Sequence, residues 1–159
     1  MVANFNDAAI NQVLDRIVSY GLSTGRFDQV NQHEPKSAPQ SGISASCWMQ
    51  TIKPAPRGSG LSATSGVLVI NMRIYMNFSL QPFDMIDPSL TAAVTDVMGA
   101  LSGDFSFGGI GNVRTLDLLG MYGVPMSALA GYVEIDRKMF RVMTITIPVI
   151  INDMFNQAA

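Results

Sequence analysis

A chain with one histidine and one cysteine has few reactions open to it. His33 and Cys47 would make a nucleophile and base only if the fold brought them together with a third group to orient the imidazole. His33 lies in a polar segment beside Pro35, and Cys47 lies in an apolar run next to Trp48. That setting describes a surface histidine and an inert, packed thiol. A zinc site takes roughly four ligands, or three and a water. One His and one Cys fall short of that, so the sequence predicts no metal and no cofactor. Glu134 and Asp136 are two residues apart and would share a face near a hairpin tip. A carboxylate pair does acid–base work only in a cleft that separates the two pKa values; at a solvated tip they are surface charge. Gly108-Gly109-Ile110-Gly111 resembles a phosphate loop, but it precedes a strand pattern rather than a helix and has no lysine near it. No G-x-S-x-G and no G-x-x-x-x-G-K-[ST] is present. The expectation is no catalytic residue and no enzyme activity.

The elements that would carry these residues read as follows. Ile10, Val13, Leu14, Ile17 and Val18 make a helical stripe, with Asn6 as N-cap and Gly21 just past the end. Residues 27–42 are polar and broken by Pro35 and Pro39, with room for one short strand at 27–32. Residues 44–52 read as a strand. Residues 53–66, rich in Pro, Gly, Ser and Ala, read as a flexible hairpin loop that leads into a long strand at 67–80. There Leu68, Ile70, Met72, Ile74, Met76 and Phe78 alternate with Val67, Val69, Asn71, Arg73, Tyr75 and Asn77, the period of a strand. Asp87 as N-cap and Pro88 at N1 open a second helix with the stripe Leu90, Val94, Val97, Met98 and Leu101, closed by Gly103. A strand at 113–119 follows. A last hairpin pairs 130–135 with 139–147 around Asp136-Arg137; a two-residue loop sets Val133 against Phe140, Gly131 against Val142, Tyr132 against Arg141 and Glu134 against Met139.

The order α, β, β, β, α, β, β, β defines an α+β domain. It has an antiparallel (mixed) β-sheet with a long β-hairpin, packed against two main α-helices, one domain over residues 1–159. Composition adds a constraint. Of 159 residues, 48% are hydrophobic and 14% charged, with net charge −2, against roughly 25% charged in soluble domains. Too few charges remain to cover a solvated monomer. No apolar run approaches the roughly 20 residues of a spanning helix, and no signal peptide is visible, so the expectation is no membrane partner, with the lone cysteine fitting a reducing cytosol. Charge is unevenly placed. Lys36, Lys53, Arg57 and Arg73 face no acid between Glu34 and Asp84, while residues 80–159 carry eight acids and four bases. Opposed surfaces of this kind fit contact between copies. Candidate interface residues are Lys53, Arg57, Arg73, Glu134 and Asp136, with Ile145 and Ile147 from a strand that is apolar on both sides beyond Met143 and calls for a second covering layer.

Three C-terminal segments carry a resemblance. They are Leu-Asp-Leu-Leu-Gly-Met-Tyr-Gly-Val-Pro-Met-Ser at 116–127, Gly-Tyr-Val-Glu-Ile-Asp at 131–136, and Phe-Arg-Val-Met-Thr-Ile-Thr-Ile-Pro at 140–148. Together with the N-terminal helix and the loop before a long strand, they resemble tail terminator proteins of long-tailed bacteriophages, especially those of actinobacterial hosts. The resemblance implies a structural virion protein at the head-proximal end of the tail, assembled in the host cytoplasm. Such a protein forms a ring, of six copies by the family pattern, which caps the tail tube, ends its polymerisation and presents the surface for head–tail joining. The implied partners are itself, the major tail-tube protein and a neck or head-completion protein, with genome DNA only passing through the lumen; no catalytic residue is implied. Asp136-Arg137 departs from the Asp-Gly that suits a two-residue turn, which lets the tip be longer. Other readings are a tail-tube or head–tail connector subunit, or a small cytosolic enzyme.

Overall fold

The computed structural model describes residues 7–39, 42–55, 63–77, 83–104, 106–107, 110 and 113–156. The first helix, α1 (Asp7–Ser23), is followed by a short strand, β1 (Gln29–Asn31), then β2 (Ile43–Pro54) and β3 (Ala63–Asn77). A 3-10 turn (Phe83–Met85) leads into α2 (Ile86–Gly103), and the chain ends in β4 (Val113–Leu116), β5 (Ser127–Ile135) and β6 (Lys138–Asn156). The strands form one mixed sheet in the order β1-β2-β3-β6-β4, with β5 also paired to β6. Among the described residues only the β1–β2 pair is parallel. This is the expected α+β architecture.

Period-two alternation decides which face is which. Leu68, Ile70, Met72, Ile74 and Met76 of β3 point to one side, in register with Ala45 and Cys47 of β2 and with Ile145, Ile147 and Val149 of β6. On that side the two helices pack Val13, Leu14 and Ile17 of α1 and Leu90, Ala93, Val94, Val97 and Leu101 of α2 into one core. Burial of apolar surface at about 25 cal/mol per Å² makes this layer the main source of stability.

Several boundaries differ from the sequence reading, each for a local reason. Gly21 does not end α1; the helix runs to Ser23, and the left-handed residue after it is Gly25 (φ 70). Gly21 lies where the helix comes down on the sheet, and a Cβ there would stand 3.0 Å from Met72 Cε and 3.5 Å from Val30 Cγ2. Asn6 lies outside the described residues. Asp87 is not the N-cap of α2. Met85 holds that place without a side-chain cap, because the preceding 3-10 turn lets the helix begin at Ile86; Pro88 still falls in the first turn, where its missing N–H costs nothing. The loop assigned to 53–66 is shorter. Lys53 pairs with Val67, Pro54 with Gly66, and the Ala55 N–H donates to the Ser65 carbonyl at 2.8 Å. Of that loop, residues 56–62 lie outside the described residues.

The last hairpin follows the expected register pair by pair, Val133↔Phe140 to Glu134↔Met139. Its tip is two residues long, and both residues take positive φ (Asp136 51°, Arg137 63°), as a type I′ turn requires. β6 continues to Asn156 through Pro148. That proline sits where β6 changes neighbour: β5 pairs with it through Thr146, and β4 begins at Val149. A residue without an N–H is tolerated at such a break in the ladder.

Candidate interaction surface

The residues with chemical potential are kept apart. Cys47 is fully buried under the helices. Burial, with a smaller contribution from the Asp15 charge, pushes its thiol up to about 12, so it is neither a thiolate nor a nucleophile at neutral pH. His33 is exposed and lines a pocket on the opposite side of the sheet with Lys36, Ser44 and Ser46, so the sheet itself separates the two. Glu134 and Asp136 do not share a face. Glu134 pairs with Met139 on β6, on the side away from Val133 and Phe140, whereas the Asp136 carboxylate accepts the Ala38 N–H at 2.7 Å. Ala38 packs with Val133, Phe140 and Tyr75. Gly108, Gly109 and Gly111 lie outside the described residues.

The interface candidates divide in the same way. Ile145 and Ile147 are withdrawn from the surface: both are 0% exposed and belong to the core beneath the helices. Arg73 is held within the sheet. Its guanidinium stands 5.5 Å over the Trp48 ring and its Nε donates to Thr144 Oγ1 at 2.9 Å. Asp136 is a staple for the segment before β2. Lys53 and Glu134 remain at the ends of β2 and β5, and Arg57 lies outside the described residues.

The sheet face turned away from the helices is covered by the chain itself at both ends. At one end Ala38 closes over Tyr75, Phe140 and Val142. Burial raises the Tyr75 pKa, with Arg73 opposing that shift. At the other, Tyr122 closes over Val67, Val69, Ile150 and Ala55. Between them the face is polar: Asn71, Arg73, Thr144 and Thr146 lie in adjoining rows.

The segment from 117 to 132 overlaps two of the segments that carry the resemblance but holds none of the candidate interface residues. Asp117 is 4% exposed, and its carboxylate accepts the N–H groups of Met121 (2.8 Å) and Tyr122 (2.9 Å). Gly120 (φ 76) turns the chain where a Cβ would meet the Pro125 nitrogen at 2.9 Å. Arg114 donates to the Tyr122 hydroxyl at 3.3 Å. This fixed loop holds Leu119 and Met121 outward, 86% and 69% exposed, and it leads directly into β5, where Leu129 and Tyr132 are 77% and 60% exposed. The arm is tied down by Arg141. Its guanidinium bonds Asp87 of α2 at 3.0 Å, stacks 4.5 Å over Tyr132 and donates to the Gly131 carbonyl at 3.2 Å. A signal was available in the sequence: Asp117 three residues before Gly120, with Leu119 and Met121 as apolar residues on either side of that glycine.

Neither a known family model nor a curated protein sequence matches this chain. In structure it is similar to a chain from the virion of a native gene transfer agent particle, with TM-score 0.43 and 13% identity over 91% of this chain and 98% of that one. It is similar also to a sheath/tube terminator of an extracellular contractile injection system in its extended state, with TM-score 0.37 and 13% identity over 99% of this chain and 61% of that one. At identities and scores this low the likeness assigns no role. No helix among the described residues is long and apolar enough to cross a membrane.

Proposed function

We propose that this chain is a non-enzymatic structural subunit of a bacteriophage-type tail, and within that class a tail terminator. Copies close into a ring, six by resemblance, at the head-proximal end of the tail in the virion. The ring caps the last ring of the major tail-tube protein, stops its polymerisation and offers the surface to which a neck or head-completion protein joins, while genome DNA passes through the lumen.

The observation that carries this reading is the arm formed by the very segments that resemble the terminators. Residues 116–127 form the fixed loop, and 131–136 with 140–148 form the hairpin of β5 and β6. Of the ten large apolar side chains exposed among the described residues, Leu119, Met121 and Tyr132 fall in those segments, and Leu129 and Met139 directly adjoin them. A rigid arm that presents apolar side chains to solvent in a charge-poor chain fits a subunit that is finished by assembly. The test is electron microscopy and mass measurement of the purified protein with and without tail tubes. Closed rings on the ends of tubes of fixed length are expected. Polymerisation of the chain into tubes of its own would make it a tube subunit instead, and tubes that keep growing in its presence would overturn the reading.

A further inference from the structure

Among the described residues β1 and β4 leave short outer edges bare, and the sheet has two longer stretches of main chain with no strand beside them. One is the outer edge of β5, Ser127–Ile135, which pairs only with β6. The other is the outer edge of β2 over residues 47–54, because β1 covers only Ser44, Ala45 and Ser46. They are matched in length, nine residues and eight. β5 has no proline, no lysine and no bulge, the devices that normally keep an exposed edge from pairing. Beside each edge stand exposed apolar side chains, Leu129 and Tyr132 on β5 and Met49 and Ile52 on β2.

We propose that these two edges join, β5 of one copy adding to residues 47–54 of the next, so that the sheets of neighbouring subunits run on as one. This rests on the reading of the chain as a ring subunit and names the contact that builds the ring.

Strand direction permits it. Between the two edges lie four strands, β2, β3, β6 and β5, each antiparallel to the next. Because the number is even, a second copy placed beside the first without being inverted sets its β2 antiparallel to β5, and the alternation continues through every copy. A two-fold pairing of β5 with itself would end after two. A head-to-tail contact closes a ring instead.

The pleat then limits the register. Side chains on directly opposed residues must lie on the same face. Ala128, Ala130 and Tyr132 share the helix side with Met49 and Ile52, as their partners in β6 and β3 show. With Ala130 opposite Ile52, Leu129 faces Lys53, and after the bulge between Met49 and Thr51 Tyr132 faces Met49 and Glu134 faces Cys47. β1 occupies the next rows and stops β5 there.

This register sets a stagger. In its own subunit Ala130 lies in the row of Met143, Ile74 and Ala45, while Ile52 lies in the row of Leu68, six residues along β3 from Ile74. Six residues are roughly 20 Å, and four strands are roughly 19 Å wide. The strands would therefore tilt by about 45°, within the range of closed barrels. That angle depends on the stagger per subunit and not on how many subunits there are.

The test is cysteine cross-linking in the chain that carries Ala130→Cys and Ile52→Cys together, both solvent-facing positions, with the buried Cys47 left in place. Mild oxidation of the assembled protein should give a ladder of covalent multimers up to the full ring. Leu129→Cys with Ile52→Cys puts the two thiols on opposite faces and should give at least tenfold less. Ala130→Cys alone should give no product; a dimer from it would show β5 pairing with itself and overturn the proposal, as would equal ladders from both double variants. In the unsubstituted protein, backbone amides of β5 and of residues 47–54 should exchange more slowly on assembly, and unchanged exchange at both edges would also overturn it. Rings that cap tubes but never cross-link would refute the edge contact and leave the terminator reading standing. Cross-linked rings that ignore tube ends would do the reverse, and a chain that stays monomeric even with tubes would end both.

Discussion

Ile147 decides between a core and an interface for the apolar stretch of β6. It is 0% exposed, lies in register with Ile70 and packs in the cluster shared with both helices. Ile147→Ala removes three carbons from that site, about 2.4 kcal/mol at ~0.8 kcal/mol per buried methylene. A residual cavity adds to it, because the flanking β3 backbone is held in a continuous ladder; the sum is about 3–4 kcal/mol, inside the usual range for such truncations. In a chain of this length that lowers Tm by roughly 6–16 °C. The assay is urea unfolding followed by circular dichroism at two protein concentrations, so that any stabilisation by assembly shows as a concentration dependence. The loss should be the same at both. Leu129→Ala, at 77% exposed, should change the unassembled protein by no more than about 0.5 kcal/mol. An Ile147→Ala protein as stable as its parent when dilute, and weakened only when assembled, would show that Ile147 faces a partner and that the core is placed wrongly.

Asp117→Ala leaves two backbone N–H groups of the 117–122 turn without their acceptor and should cost about 2–4 kcal/mol; limited proteolysis should then cut near Leu119 well before the rest of the chain, whereas cutting no faster than in the parent would refute the staple. Cys47 is a thiol whose folded pKa is raised from 9.0 to about 12. Its contribution is therefore fully present below pH 9 and lost as the pH climbs from 9 towards 12. The urea midpoint of the parent should fall more steeply over that window than that of Cys47→Ala, and a thiol reagent at pH 8 should label the protein only on unfolding. Arg137→Gly relieves a left-handed residue that carries a side chain (φ 63°) and should raise stability by about 1 kcal/mol, read as a higher urea midpoint; no change would mean that the tip carries no such strain.

How much of this was legible depends on how local the cause is. The stripes of both helices, the alternation of β3 and the register of the last hairpin come from spacing alone. A two-residue loop at Asp136-Arg137 leaves one way to pair Val133 with Phe140. Helix ends were less legible because close approach and a preceding turn set them: Gly21 looks like a terminator but answers to Met72, and Asp87 looks like a cap but follows a 3-10 turn that already starts the helix. The site was read least well. Ile145 and Ile147 alternate with Thr144 and Thr146, which marks one side as apolar, but the spacing does not say whether the chain's own helices or a neighbouring copy cover that side. Nor does a polar stretch such as 33–39 announce that Ala38 will close over Tyr75 through a bond from Asp136, 98 residues away.

That polar stretch changes the argument for a partner. An apolar strand in a two-helix protein calls for a second layer, and a neighbouring subunit is the simplest one to invoke. In the structure the second layer is this chain's own. Ala38 covers one end of the face and Tyr122 the other, and what lies between is Asn71, Arg73, Thr144 and Thr146, with Arg73 already bonded to Thr144 and stacked on Trp48. A partner laid on that face would have to desolvate a guanidinium without offering it anything better, a penalty that buried charges repay only with excellent geometry. Six of the ten large apolar side chains exposed among the described residues stand elsewhere, on the fixed loop and β5 at one margin of the sheet and at Met49 and Ile52 of β2 at the other. Under the proposed edge contact, the main chain of β5 and of residues 47–54 gains a strand that none of the described residues supplies. Under the proposed contact, substitutions at these two edges should separate assembly from folding.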